Sequence, residues 1–127
     1  MTQRLDIIYL VCLNRCMEKI QGNMLRGHVE TMVLAVLSNG DAHGFEIMQR
    51  LDQESRGILH LKEGTLYPTL YRLEESGAVK ARWDDGDESK GPRRRIYHIT
   101  KKGKRELAKR RDEWRSFVSV IGSIVEA

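Results

Sequence analysis

The stretch from Lys62 to Val79, KEGTLYPTLYRLEESGAV, carries side chains that can hydrogen-bond to nucleic-acid bases. If it is helical from about Thr65, steps of about 100° place hydroxyl groups and one arginine on one stripe, namely Thr65, Thr69, Arg72 and Ser76. Another stripe is apolar, with Leu66, Leu70 and Leu73. Arginine can bind two acceptors of guanine at once, and hydroxyl groups suit phosphates or base edges. The alternative is an ordinary amphipathic helix packed on a core.

The ends of this stretch limit the length of the helix. Gly64 and Thr65 are reasonable start signals, Pro68 is tolerated near a first turn, and Gly77 is a common stop. The predicted helix has about three turns, which fits the major groove of DNA.

Two further helices are predicted before this stretch. Apolar residues recur at helical spacing at Leu25, Val29, Met32, Val33, Val36 and Leu37, and Asn39-Gly40 ends the pattern. A second helix is expected from about His43 to Glu54, with Asp41 near its start and with Phe45, Ile47, Met48 and Leu51 buried. Three short helices with tight connections are typical of a helix-turn-helix.

After Gly77 the pattern changes to the alternation of β-strands. Val79, Ala81 and Trp83 alternate with charged residues, and a second alternating run spans 94–99. The two strands, joined by DDGDESKGP, predict the hairpin of a winged helix. We expect the basic strand base and Lys90 to face the DNA backbone, because the acidic half of the loop would be repelled by phosphate.

A long final helix is predicted from an N-cap at Thr100 to about Ile124. Leu107, Trp114 and Ile121 are seven residues apart, and Phe117 and Val118 extend the apolar face. A surface this apolar predicts that the helix pairs with the same helix of a second subunit and that the protein is a homodimer. The alternative is that the helix folds back on its own domain.

The charge distribution indicates a polyanionic partner. The 127-residue chain has a net charge of +4, and its 80–115 segment holds 14 Lys and Arg against 7 Asp and Glu. The remaining residues hold 8 against 11, so the positive charge follows the proposed reading helix. A basic surface that serves only solubility would look similar.

Residues 1–24 are the least interpretable segment, and we treat them as an N-terminal extension whose order the pattern does not decide. Cys12 and Cys16 make a poor zinc motif, and reduced thiols are expected. The apolar run from Ile7 to Leu13 is too short to cross a bilayer, so a cytoplasmic protein without membrane contact is expected.

The predicted fold class is mostly α with a small β-hairpin (α+β). It comprises a winged helix-turn-helix domain over 25–99 and a dimerisation helix over 100–127. No nucleophile motif or phosphate-cradling glycine loop occurs, and the four histidines are scattered singly. We therefore expect no enzymatic activity and no cofactor.

The chain resembles the PadR family of bacterial winged-helix transcriptional regulators. The resemblance lies in LRGHVETMVLAVL at 25–37, HGFEI at 43–47, KEGTLYPTLYRLEESGAV at 62–79 and GPRRRIYHIT at 91–100. It implies a homodimer on double-stranded DNA, with two recognition helices in successive major grooves and repression relieved by a small molecule. The DNA-contact candidates are Lys62, Thr65, Tyr67, Thr69, Arg72, Lys90, Arg93, Arg94 and Arg95.

The resemblance also implies an effector site at the dimer interface, where a tryptophan of the last helix stacks on a flat aromatic compound. Trp114 is similar to that residue, and Leu107, Phe117, Val118 and Ile121 complete the expected interface. The alternative is a packed seam without a cavity. Two features depart from the family pattern: the extra N-terminal residues, and Phe45 where a tyrosine is usual. The rival function is a winged helix that binds an acidic protein.

Overall fold

The computed structural model describes residues 27–84 and 93–127. These residues form four helices and three strands in the order α1 Val29–Ser38, β1 Ala42–His43, α2 Gly44–Glu54, α3 Glu63–Glu75, β2 Val79–Trp83, β3 Arg95–Ile99 and α4 Lys101–Val125. The predicted mostly helical fold with a β-hairpin and a long final helix is therefore confirmed. The predictions for residues 1–24 and for Lys90 fall outside the described residues.

The core lies where the first three helices meet. Val33, Leu34 and Leu37 of α1 are fully buried against Ile47 of α2 and the leucine stripe of α3. Each such side chain contributes about 1.5–3 kcal/mol to folding by leaving water. This shared core fixes the orientation of α3 relative to the rest of the domain.

The sheet is antiparallel, in the order β1-β3-β2. In the predicted hairpin, Ala81 of β2 lies opposite Tyr97 of β3, and Tyr97 also lies opposite Ala42 of β1. Strand β1 was not predicted, because two residues are too few to show a period. It pairs with the edge of β3 that β2 leaves open, and so joins the start of α2 to the hairpin.

The start of α2 differs from the sequence-based prediction. Its N-cap is His43, whose Nδ1 accepts a hydrogen bond of 3.3 Å from the Glu46 amide. The Glu46 carboxylate in turn accepts from the His43 amide at 3.5 Å, completing a capping box. Asp41, the expected start residue, instead contacts the sheet through His98 and Arg82.

The burial predicted for α2 is correct for Ile47 and Leu51 but wrong for Phe45. The Phe45 side chain is 58% exposed, whereas Met48 is partly buried against the core. Phe45 lies about 160° around the helix from Ile47, so one face cannot bury both residues. An apolar residue directly after a helix start is a weak indicator of burial.

Helix α4 begins where the sequence predicted, with the Thr100 hydroxyl accepting a 3.1 Å hydrogen bond from the Gly103 amide. Gly103 is buried where α4 crosses the start of β2. A Cβ there would overlap the Ala78 carbonyl group and lie 2.7 Å from Cγ1 of Ile99. Glycine is therefore needed for the close approach. No helix in the two described segments is long and apolar enough to cross a membrane.

Candidate nucleic-acid interface

Helix α3 presents one well-defined face to solvent. It begins at Glu63, two residues before the predicted start, so Pro68 lies in the second turn. Its inner face is formed by Leu66, Thr69, Leu70 and Leu73. Steps of about 100° then place Gly64, Pro68, Tyr71 and Glu75 roughly opposite, at the centre of the outer face. Tyr71 is 64% exposed, and the space that a Cβ at Gly64 would enter is open.

The predicted hydroxyl stripe is wrong at Thr69. This side chain is only 1% exposed, and its hydroxyl donates a 2.8 Å hydrogen bond to the Thr65 carbonyl oxygen. The Thr69 hydroxyl oxygen in turn accepts a hydrogen bond from Nη2 of Arg72 at 3.2 Å. Thr69 therefore lies beneath the surface, and in this geometry it contacts Arg72 rather than an outside ligand.

Thr65 and Arg72 lie on the flank of α3 that faces α1. Nε of Arg72 donates a 3.0 Å hydrogen bond to Oε1 of Glu30, and Nη2 of Arg110 donates to Oε2 at the same distance. Burial opposes ionisation of Glu30, but hydrogen bonds from the two guanidinium groups hold its pKa below the ordinary value. A charged carboxylate thus joins α3 to α4 through α1.

Tyr67 lies on the opposite flank of α3, close to the start of α2. The Tyr67 side chain is exposed, and its hydroxyl oxygen lies 2.6 Å from the position that a Cβ at Gly44 would occupy. Glycine at the first position of α2 therefore makes room for the phenol. Tyr67 and Arg72 are five positions apart and therefore lie about 140° apart around the helix, on opposite flanks of α3.

The arginines of the hairpin line the Tyr67 flank. Arg95 pairs with Glu74 of α3 at 2.9 Å, and Nη1 of Arg94 lies 3.0 Å from Nε2 of His43. Arg93 and Arg95 both lie over the Trp83 ring, with 5.7 Å from each guanidinium carbon to the ring centroid. Arg93 and Arg94 are exposed, whereas Arg95 is partly buried against α3. Lys62 is exposed and is the N-cap residue of α3.

Two residues of this surface were missed by the sequence-based reasoning. Tyr71 could have been found, because it lies roughly opposite the leucine stripe on a helical wheel. Glu30 could not, because its contact with Arg72 joins residues 42 positions apart.

The second half of α4 carries the residues expected at a subunit interface. Trp114 stacks on Phe117 with ring centroids 6.0 Å apart, and the His28 ring meets Trp114 edge-on at 5.3 Å. Val118 and Ile121 are also exposed. The interface prediction is wrong for Leu107, because this side chain is only 2% exposed and belongs to the core of its own domain. Its position on α4 lies alongside the core, before the helix extends past it.

A helix-turn-helix followed by a hairpin whose basic residues flank the exposed helix defines a winged-helix protein. Comparison with protein-family models places residues 33–109 in the transcriptional regulator PadR-like family. The chain belongs to the PadR-like family of transcriptional regulators.

Relatives support this assignment along most of the chain. A transcriptional regulator of Clostridium thermocellum of known structure is 34% identical, with a TM-score of 0.74 over 82% of this chain and 99% of that one. A transcriptional regulator of Mycobacterium tuberculosis is 34% identical over 86 residues, covering 68% of this chain and 75% of its own. A PadR family regulator of Eggerthella lenta is 26% identical, with a TM-score of 0.67, and covers 100% of this chain and 99% of its own.

Proposed function

We propose that this protein is a sequence-specific regulator that inserts α3 into the major groove of double-stranded DNA. The observation that carries the proposal is the outer face of α3, with exposed Tyr71 at its centre and little side-chain bulk at Gly64. A helix can approach base edges closely where its surface is open. Arg72 and Thr65 lie on one flank of this face and Tyr67 on the other, so all three can reach the groove or its rim.

The hairpin arginines supply the phosphate contacts in this proposal. Arg93 and Arg94 are exposed beside the Tyr67 flank of α3. An arginine on a strand beside a groove-bound helix is well placed to contact the phosphate backbone. Such contacts position a protein on DNA but do not read the base sequence. Arg95 has a different part, because its pairing with Glu74 links the hairpin to α3.

We propose that the DNA-binding unit is a homodimer joined through α4. This helix has 25 residues and is therefore about 38 Å long, and its first half packs on α1. Its second half presents Trp114, Phe117, Ile121 and Ile124 to solvent in the single chain. A second copy of the same helix supplies a matching apolar face, because a twofold axis brings the same patch of the two subunits into contact. Two subunits would then place two α3 helices on one duplex.

Repression relieved by a small aromatic effector is the form of regulation that we propose. Support comes from Trp114, whose indole is half exposed and already stacked on Phe117 at the proposed seam. A planar ligand between two such indoles would gain stacking and apolar burial. Trp114 fluorescence that stays unchanged across a broad aromatic library, while DNA affinity also stays unchanged, would remove the effector from the proposal.

The test of function is fluorescence anisotropy with a duplex from the region upstream of the protein's own coding sequence and with a scrambled duplex. Binding that is roughly a thousandfold tighter to the native duplex is expected of a specific regulator. Equal binding would lead to selection from a random-sequence library. Failure to enrich any sequence there would overturn DNA reading and favour an acidic protein partner for the basic wing.

A further inference from the structure

The guanidinium of Arg72 is held along one edge before any ligand arrives. Its Nε donates to Glu30 at 3.0 Å and its Nη2 donates to Thr69 at 3.2 Å. These two nitrogens form the inner edge of the planar group, which faces α1 and the base of α3. The side chain is nevertheless 58% exposed.

The outer edge of the same guanidinium is left for another acceptor. Nη1 makes no hydrogen bond to any residue within 27–84 or 93–127. Arginine recognises guanine by directing two parallel N–H groups at O6 and N7. A guanidinium of Arg72 that is held by its inner edge can direct the N–H groups of its outer edge at a guanine in this way. Fixing the side chain in advance also lowers the conformational entropy that binding removes.

The carboxylate that holds Arg72 is itself fixed from a second side. Arg110 of α4 donates to Oε2 of Glu30 at 3.0 Å, to the Thr31 hydroxyl at 3.3 Å and to Glu106 at 3.0 Å. Glu30 is three-quarters buried, and Thr69 is almost completely buried. Both carboxylate oxygens of Glu30 already accept hydrogen bonds from arginines, and phosphate repels a carboxylate. We therefore expect any effect of Glu30 or Thr69 on base reading to act through Arg72.

We propose that Glu30 and Thr69 are positioning residues for base recognition, which hold Arg72 by its inner edge and present its outer edge to a guanine. This inference rests on the proposed DNA-reading function. It assigns Thr69 a role that differs from the direct DNA contact expected from the sequence, and it adds a residue of α1 to the residues that determine the specificity of α3.

The test uses the full chain and a duplex enriched from a random-sequence library, with every base pair of the site substituted in turn at one salt concentration. Arg72→Ala is expected to lose about tenfold or more in discrimination at one base pair. Glu30→Gln is expected to lose about threefold to tenfold at that same base pair, because the neutral amide holds the guanidinium less firmly. In the Arg72→Ala background, Glu30→Gln should have no further effect on discrimination.

Glu106→Gln is the matched control. It removes the same charge and a partner of the same Arg110, but Glu106 does not contact Arg72. Removing an acidic residue raises affinity for all DNA, so the ratio between the enriched and substituted duplexes is the readout. We expect Glu106→Gln to leave that ratio unchanged.

Two substitutions of Thr69 provide a second test, and both keep the buried site nearly filled. Thr69→Val removes the hydroxyl at nearly constant volume and should lose discrimination at the Arg72 base pair, whereas Thr69→Ser retains the hydroxyl and should keep most of it. Circular dichroism melting of each variant shows whether it is folded at the assay temperature.

The outcomes separate the inference from the function on which it rests. If the wild type enriches no sequence, the proposed DNA reading fails. If the wild type is specific but Arg72→Ala keeps every preference, or if Glu30→Gln and Thr69→Val match their controls, the positioning role is overturned while DNA reading stands.

Discussion

Nδ1 of His98 lies 2.7 Å from Oδ1 of Asp41, so that a residue of strand β3 contacts the loop between α1 and β1. Arg82 of β2 binds the other oxygen of the same carboxylate at 2.9 Å. One aspartate therefore ties the sheet to the helix-turn-helix. The hydrogen bond from His98, followed by that from Arg82, holds the pKa of Asp41 below its ordinary value.

This contact predicts a pH-dependent contribution to stability. Because the folded-state pKa of Asp41 is depressed, its stabilisation is present above the unfolded-state pKa of about 3.9 and is lost as the pH falls through the folded-state pKa. The pair is partly exposed, so Asp41→Asn should cost about 0.5 kcal/mol at pH 7 and almost nothing at strongly acidic pH. Urea unfolding at both pH values measures this. Asp112→Asn, which weakens an exposed pair with Arg115 at 3.8 Å, is the control and should change little at either.

Two glycines should respond in opposite directions to alanine. Gly103→Ala should lower the free energy of unfolding by about 1–3 kcal/mol, because the new methyl group overlaps the Ala78 carbonyl and the Ile99 side chain. Gly64→Ala should raise it by up to about 1 kcal/mol, since the Cβ enters open space in a helix. Thermal or urea unfolding of both variants makes the comparison. If the Gly103→Ala variant were more stable than the wild type, this would contradict the close packing of α4 against the start of β2.

Tyr71 and Leu70 are neighbours on α3 with opposite exposure. Tyr71→Ala should weaken binding to the enriched duplex while leaving stability within about 0.5 kcal/mol, as is usual for an exposed side chain. Leu70→Ala should cost about 2–5 kcal/mol of stability, because it empties a fully buried site. Anisotropy and urea unfolding on both proteins separate the two effects. Unchanged DNA affinity in Tyr71→Ala would remove the outer face of α3 from the proposed interface.

Arg94 should contribute to affinity without contributing to sequence preference. Arg94→Ala is expected to weaken binding to all duplexes alike and to reduce the slope of log affinity against log salt by about one. Arg115→Ala is the control, since this exposed arginine lies on α4, away from the hairpin. Anisotropy titrations at several salt concentrations give both slopes. A variant that lost preference at a single base pair would instead make Arg94 a base contact.

The proposed homodimer can be tested by placing charge on the apolar face of α4. Ile121→Glu should shift the protein towards the monomer in sedimentation velocity, because two carboxylates would be buried at a twofold seam. Ser116→Glu adds the same charge on roughly the opposite face and should leave the association unchanged. An unchanged association state in Ile121→Glu would move the interface elsewhere.

The order of the four helices and the two hairpin strands followed from the sequence, because each of these elements is encoded by a local repeat or a cap. The leucine stripe of α3, the alternation of β2 and the Thr100 cap needed no knowledge of neighbours. The prediction for Asp41 failed because its carboxylate is bound by Arg82 and His98, which are 41 and 57 positions away in the sequence. The prediction for Phe45 failed for a local reason, because one face of a helix cannot bury both Phe45 and Ile47.

The sequence by itself determined the winged-helix fold and the basic hairpin, since helical and strand periods and local charge are properties of neighbouring residues. It also placed Arg72 and Tyr67 together on one helix, which is α3. Only the tertiary structure placed Leu107 in the core and Thr69 beneath Arg72. It also showed that Glu30 holds that arginine. Helical spacing states which residues share a face, but the packing of α1 and α4 decides which face is covered.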